Sequence, residues 1–103
     1  MLIILYTFFM ELSERFIQTF EKEGYDSVSE WQDEPGKAYP KHSHDYKSSI
    51  LVTDGSITFD ITGQKKTLSP GQRLDIPAGD LHSAQVGENG VIYIFGEMIE
   101  KDS

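Results

Sequence analysis

Two hydrophobic periods divide the chain. Leu12, Phe16 and Phe20 recur every fourth position with Ile17 beside them, the stripe of an amphipathic helix. Ser13 reads as its N-cap and Gly24 as its stop, and packing on the outside of a sheet is expected in preference to a partner-binding role. After Gly24 the period falls to two. Ile57, Phe59 and Ile61 alternate with Ser56, Thr58 and Asp60, which predicts a strand with one wet face and Phe59 directed inward. Ser49–Val52 and Val91–Phe95 are instead nearly continuous apolar runs, which predicts cover on both faces, from the helix or from another subunit.

Turn residues punctuate this second part at Pro35-Gly36, Asp54-Gly55, Thr62-Gly63, Pro70-Gly71, Ala78-Gly79 and Asn89-Gly90. Short strands without a helical interruption predict an all-β antiparallel sandwich or barrel. The division expected is an N-terminal extension and helix over residues 1–24 and a barrel over residues 25–103. Met1–Phe9 is apolar but lacks a cationic start and is about half a membrane span, so it reads as an upstream extension or as a pairing strand.

Composition narrows the function. A length of 103 residues suits one domain, and 38% hydrophobic residues with no low-complexity stretch separate the chain from disordered classes. A formal charge of −8 repels phosphate backbones and anionic headgroups, so neither nucleic acid nor membrane is an expected partner. The lack of cysteine removes disulfides, iron–sulfur clusters, cysteine-based zinc sites and thiol catalysis. Cytoplasm is the default location.

The histidines carry the candidate chemistry. On an extended strand His42 and His44 would share a face about 7 Å apart at the backbone, and His82, after the turn Pro77-Ala78-Gly79-Asp80, could bring a third imidazole from a neighbouring strand. Three neutral imidazoles suit one divalent transition metal, whether iron, manganese, zinc, nickel or copper, better than calcium or magnesium.

The stretches GKAYPKHSHDYKSSILVTDG from Gly36 and GQRLDIPAGDLHSAQV from Gly71 resemble the two motifs of the cupin superfamily. In those motifs a glycine precedes His-x-His, a glutamate and a closing glycine, and a second glycine precedes Pro-x-Gly-x-x-His. Gly36, His42, His44, Gly55, Gly71, Pro77, Gly79 and His82 fall in register over residues 36–86. The resemblance implies a small double-stranded β-helix (jelly-roll) barrel with a short N-terminal helix, and metal ligands at His42, His44 and His82. It also implies a homodimer, for which the apolar Val91–Phe95 run is a second argument.

Two positions depart from the pattern. Val86 stands where an asparagine is often found, and Ser48 stands where the family glutamate supplies a fourth ligand. Serine is too short and not anionic, so the expected site is three neutral donors around a formal +2 ion, open to an anionic oxygen ligand. Tyr46 and Ser48 share the parity of His42 and His44, and with Phe59 and Tyr93 they are candidate pocket residues. Asp45 or Asp80 could orient a histidine. The acidic group Glu11, Glu14, Glu21 and Glu23 reads as a solvated helix face.

The functional expectation is a metal-binding cupin that binds or acts on a small, anionic metabolite, as an oxygenase, isomerase or hydrolytic enzyme. The alternatives are a non-catalytic binding or sensor cupin, and a metal-free cupin with a structural or interaction role. Tight binding without turnover would favour the sensor; no thermal response to any divalent metal would favour the metal-free form.

Overall fold

The computed structural model describes the backbone of residues 2–99 and the side chains of residues 11–99. One helix, α1 (Leu2–Lys22), precedes six strands: β1 (Ser27–Asp33), β2 (Ala38–His42), β3 (Lys47–Ile61), β4 (Gln64–Leu68), β5 (Arg73–Ile76) and β6 (His82–Met98). The helix begins eleven residues before the expected N-cap. Ser13 lies within it and donates its hydroxyl to Glu30 Oε2 at 2.6 Å, tying α1 to β1 rather than opening a helix. Leu2–Phe9 is therefore helical and not a pairing strand; Met1 and residues 100–103 lie outside the described residues. No described helix is long and apolar enough to cross a membrane.

The helix stops where glycine permits. Gly24 adopts φ +104°, its N–H reaches the Glu21 carbonyl at 3.0 Å, and the Tyr25 N–H reaches the Phe20 carbonyl at 3.2 Å. This Schellman pair closes the last turn, and the accompanying apolar contact joins Phe20 to Tyr25 with ring centroids 5.4 Å apart.

Two long antiparallel strands, β3 and β6, form the spine. The second half of β6 pairs with β1 and with the first half of β3, which also pairs with β5. The first half of β6 pairs with β2 and with the second half of β3, which also pairs with β4. Each spine strand thus serves two groups of four strands, the jelly-roll arrangement. Asp54-Gly55 and Asn89-Gly90, expected as chain reversals, are irregularities inside these strands. A glycine at positive φ signals either a tight turn or a bulge, and here it bends a continuing strand.

Inward parity follows the alternation. Ile50, Val52, Ile57 and Phe59 of β3 meet Ala84, Val86, Val91 and Tyr93 of β6 in the main core. Leu51 and Ile94 point the other way, onto Phe20, Tyr25, Phe16 and Ile17. The chain's own helix therefore supplies the second cover at Leu51 and Ile94, while Ile92 on the same face is only partly buried. Close approach depends on Gly96, where a Cβ would stand 2.7 Å from Phe20 and 3.0 Å from Tyr25. Arg73 clamps the same seam, with its guanidinium 4.3 Å from the Phe20 ring centroid and two hydrogen bonds of 2.7 and 2.8 Å to Glu23.

Candidate metal centre

His42 ends β2 and His82 begins β6, and the two are cross-strand partners. His44 lies beyond the strand end, in the loop before β3, so His42 and His44 do not share one strand as expected. The loop is held instead by the Gly79 N–H, which donates to the His44 carbonyl at 2.8 Å. The two motif segments are thus joined by a backbone bond, and the rings gather at centroid separations of 4.9 Å (His42–His44), 4.3 Å (His42–His82) and 5.2 Å (His44–His82). One ring nitrogen from each lies within 4.8 Å of the other two.

Two of the imidazoles are oriented by backbone oxygen. His42 Nδ1 is 2.7 Å from the Pro40 carbonyl and His82 Nδ1 is 3.0 Å from the Asp80 carbonyl. A carbonyl only accepts, so Nδ1 carries the proton and Nε2 keeps its lone pair free for a ligand. Asp80 thus contributes its main chain and not the carboxylate considered from sequence. Burial, followed by the neighbouring His42 and His82, holds the His44 pKa below the ordinary imidazole range, against the opposing effect of Glu97 and Asp45. His44 is favoured as the neutral, ligand-competent imidazole.

The triad sits in a cavity of about 270 Å³, below the usual size for drug-like ligands. Its walls include Tyr46, Ser48, Phe59 and Tyr93, all singled out from sequence, and also Trp31, Tyr39, Phe95 and Glu97, which were not. Tyr46 stacks on His44 at 5.0 Å, and burial followed by the Glu97 carboxylate pushes its phenol pKa up. Phe59 lies 6.4 Å from the His82 ring. Trp31, 51% exposed, brings an aromatic edge to the cavity from β1.

Asp33 organises another part of the wall. Its Oδ2 accepts from the Tyr39 hydroxyl at 2.7 Å and from the Tyr93 hydroxyl at 3.2 Å. Burial, then the Asp33 charge, drives the Tyr93 pKa far upward, so this phenol stays protonated. No local pattern announces the contact, because Asp33 and Tyr93 are 60 residues apart in the chain.

Glu97 changes the expected electrostatics. It continues the inward parity of Tyr93 and Phe95 and stands opposite Ser48 in the β3–β6 register. A cavity expected to lack a carboxylate therefore contains one, supplied from a different strand. The signal was available: extending the odd-numbered alternation two residues past Phe95 reaches Glu97.

The family model for cupin domains matches residues 29–94. No curated protein matches the chain. Among solved structures, KdgF from Halomonas sp. is 21% identical with a TM-score of 0.63, over 71% of this chain and 69% of that one. A cupin superfamily protein from Desulfitobacterium hafniense is 16% identical with a TM-score of 0.63, over 74% and 81%. The DMSP lyase DddQ from Ruegeria pomeroyi is 20% identical with a TM-score of 0.64, over 76% of this chain and 41% of that protein. At these identities the likeness carries the fold alone.

Proposed function

This chain belongs to the cupin-domain family, and from that premise we propose that its cavity is a metal-dependent site for a small, anionic metabolite, with His42, His44 and His82 holding one divalent transition metal. The observation that carries the reading is the orientation of the imidazoles. Two have Nδ1 committed to backbone carbonyls, the third is biased toward its neutral form, and all three converge within 4.8 Å. The donor set suits iron, manganese, zinc, nickel or copper.

Such an ion, when bound, supplies Lewis acidity toward an oxygen donor. The chain supplies the rest. Tyr39, Phe59, Tyr93 and Phe95 offer an apolar wall to the body of a ligand, and Asp33 fixes the hydroxyls of Tyr39 and Tyr93. Compact carboxylates and enolates fit this division between a polar, metal-facing head and an apolar remainder. The cavity volume favours such a metabolite over a bulky substrate.

The test is thermal denaturation of metal-free protein with each divalent ion in turn. At ion concentrations about 100 times the dissociation constant, binding to the folded state stabilises it by about 2.7 kcal/mol. A clear rise in Tm is expected for wild type and its loss in His82→Ala. The absence of a rise with every ion would refute the reading.

A further inference from the structure

Two features of the cavity are not explained by a site of three histidines alone. The first is Ser48, 1% exposed, whose Oγ is buried without a hydrogen-bond partner. Buried hydroxyls are ordinarily paired, so a donor facing this cavity implies an acceptor that reaches it when the site is filled. The second is Glu97. It lines the same cavity, yet no lysine or arginine is found among the described residues that line it. Glu97 is partly buried, and the groups facing its carboxylate are the Tyr46 hydroxyl, the histidines and whatever cation they hold.

The ladder joins these features. Ser48 and Glu97 are direct antiparallel partners, and such partners on one face have Cβ atoms about 4.5–5.5 Å apart. From that separation a glutamate side chain can bring its carboxylate within hydrogen-bond reach of the serine hydroxyl. The three histidine nitrogens lie within 4.8 Å of one another, and the Glu97 side chain lines the cavity they face, so rotation of that side chain is what brings its carboxylate to them.

We propose that Glu97 is the carboxylate donor of this metal site, transferred across the β3–β6 ladder from the position Ser48 now occupies. This rests on the metal-binding reading above and goes beyond it by assigning the fourth protein donor. Ser48 has two roles: its small side chain leaves room for Glu97 to turn inward, and its hydroxyl donates to the Glu97 carboxylate. A loaded site then carries a formal charge of +1 rather than +2 and keeps up to two positions open to ligand if the ion is octahedral. The arrangement also explains why position 48 is not acidic, since two carboxylates directly opposite one another on one face would repel.

The experiment titrates metal-free protein with Co²⁺, reading affinity by chelator competition and coordination by visible absorption. The wild type is compared with Glu97→Gln, with the double variant Ser48→Glu/Glu97→Gln, and with His82→Ala; circular dichroism verifies folding. Removal of even an indirect support for a metal ligand weakens binding about 10–100-fold, so Glu97→Gln is expected to lose at least about tenfold and to change the cobalt spectrum. The double variant, with the carboxylate returned to β3, is expected to recover affinity. Should Glu97→Gln fail to fold, the double variant decides: wild-type-like binding supports the transfer, and weak binding by a folded double variant overturns it. Wild-type affinity and spectrum in Glu97→Gln, with binding lost in His82→Ala, overturn the assignment of Glu97 while leaving the three-histidine reading intact. A wild type that takes up no cobalt overturns both.

Discussion

Gly55 and Gly90 touch where β3 and β6 bend: a Cβ on Gly55 would stand 2.0 Å from the Gly90 carbonyl oxygen, and Gly55 itself sits at φ +73°. The bend lets each spine strand continue from one group of strands to the other, and the histidine cluster lies on the side built from β2 and the first half of β6. Gly36 has nearly the same φ, +75°, with no atom within 4 Å of its would-be Cβ.

The pair therefore separates strain from crowding. Gly36→Ala is expected to cost about 1–2 kcal/mol from backbone conformation alone. Gly55→Ala adds a backbone clash and is expected to cost about 2–4 kcal/mol. Urea unfolding of the two variants measures the difference; equal losses would remove crowding from the account.

A second prediction concerns the helix seam. Gly96→Ala drives a methyl into Phe20 and Tyr25 without a positive-φ penalty, so the expected loss is the overpacking cost of about 1–3 kcal/mol. Amide exchange should accelerate in the C-terminal half of α1 and much less in β4, which belongs to the other group of strands. Uniform acceleration would show that the helix and sheet unfold together.

Acid should weaken the Arg73 clamp. Hydrogen bonding to Arg73 is the largest influence on Glu23 and holds its carboxyl below the usual range. At Asp75 burial acts upward, but hydrogen bonding from Ser49 and the charge of Arg73 prevail and lower it. Because both folded-state pKa values lie below their unfolded values, the stabilisation is present above about pH 4 and is lost as pH falls through the folded values. Arg73→Met is expected to cost about 1 kcal/mol at pH 7, a small value because Glu23 is solvent-screened. It should also flatten the decline of Tm below pH 4; an unchanged decline would place the acid sensitivity elsewhere.

How far the sequence revealed this arrangement depended on the distance over which each signal acts. The histidines could be placed because each lies at a fixed offset from a glycine or proline of its own motif, so local spacing carried the register. Gly55 and Gly90 bend continuing strands where their sequence predicts reversals, because positive φ is common to turns and bulges. The early start of α1 was hidden by Ser13, a good cap residue whose hydroxyl is instead used against Glu30. Glu97 is hard to see in the sequence because it is a charged residue lying just past the apolar run that marks the inward face. Asp33 could not be found by local pattern at all, because its tyrosine partners are assembled by the fold.

The Asp33 network offers a further test. Asp33→Ala leaves the Tyr39 and Tyr93 hydroxyls without their common acceptor, and a buried donor left unmatched costs about 1–3 kcal/mol. Trp31 is the one tryptophan in the chain and it lines the same cavity, so its fluorescence should report the altered wall. Replacing Tyr93 with phenylalanine removes one donor but leaves the 2.7 Å Tyr39–Asp33 bond, and a smaller loss is expected.

Metal content tests the central claim most directly. Elemental analysis of untagged, natively purified protein should find near one divalent transition-metal ion per chain in the wild type and a loss of that ion in His82→Ala. Wild-type protein that remains metal-free after incubation with iron, manganese, zinc, nickel and copper, or a folded His82→Ala variant that retains a full equivalent, would contradict the account.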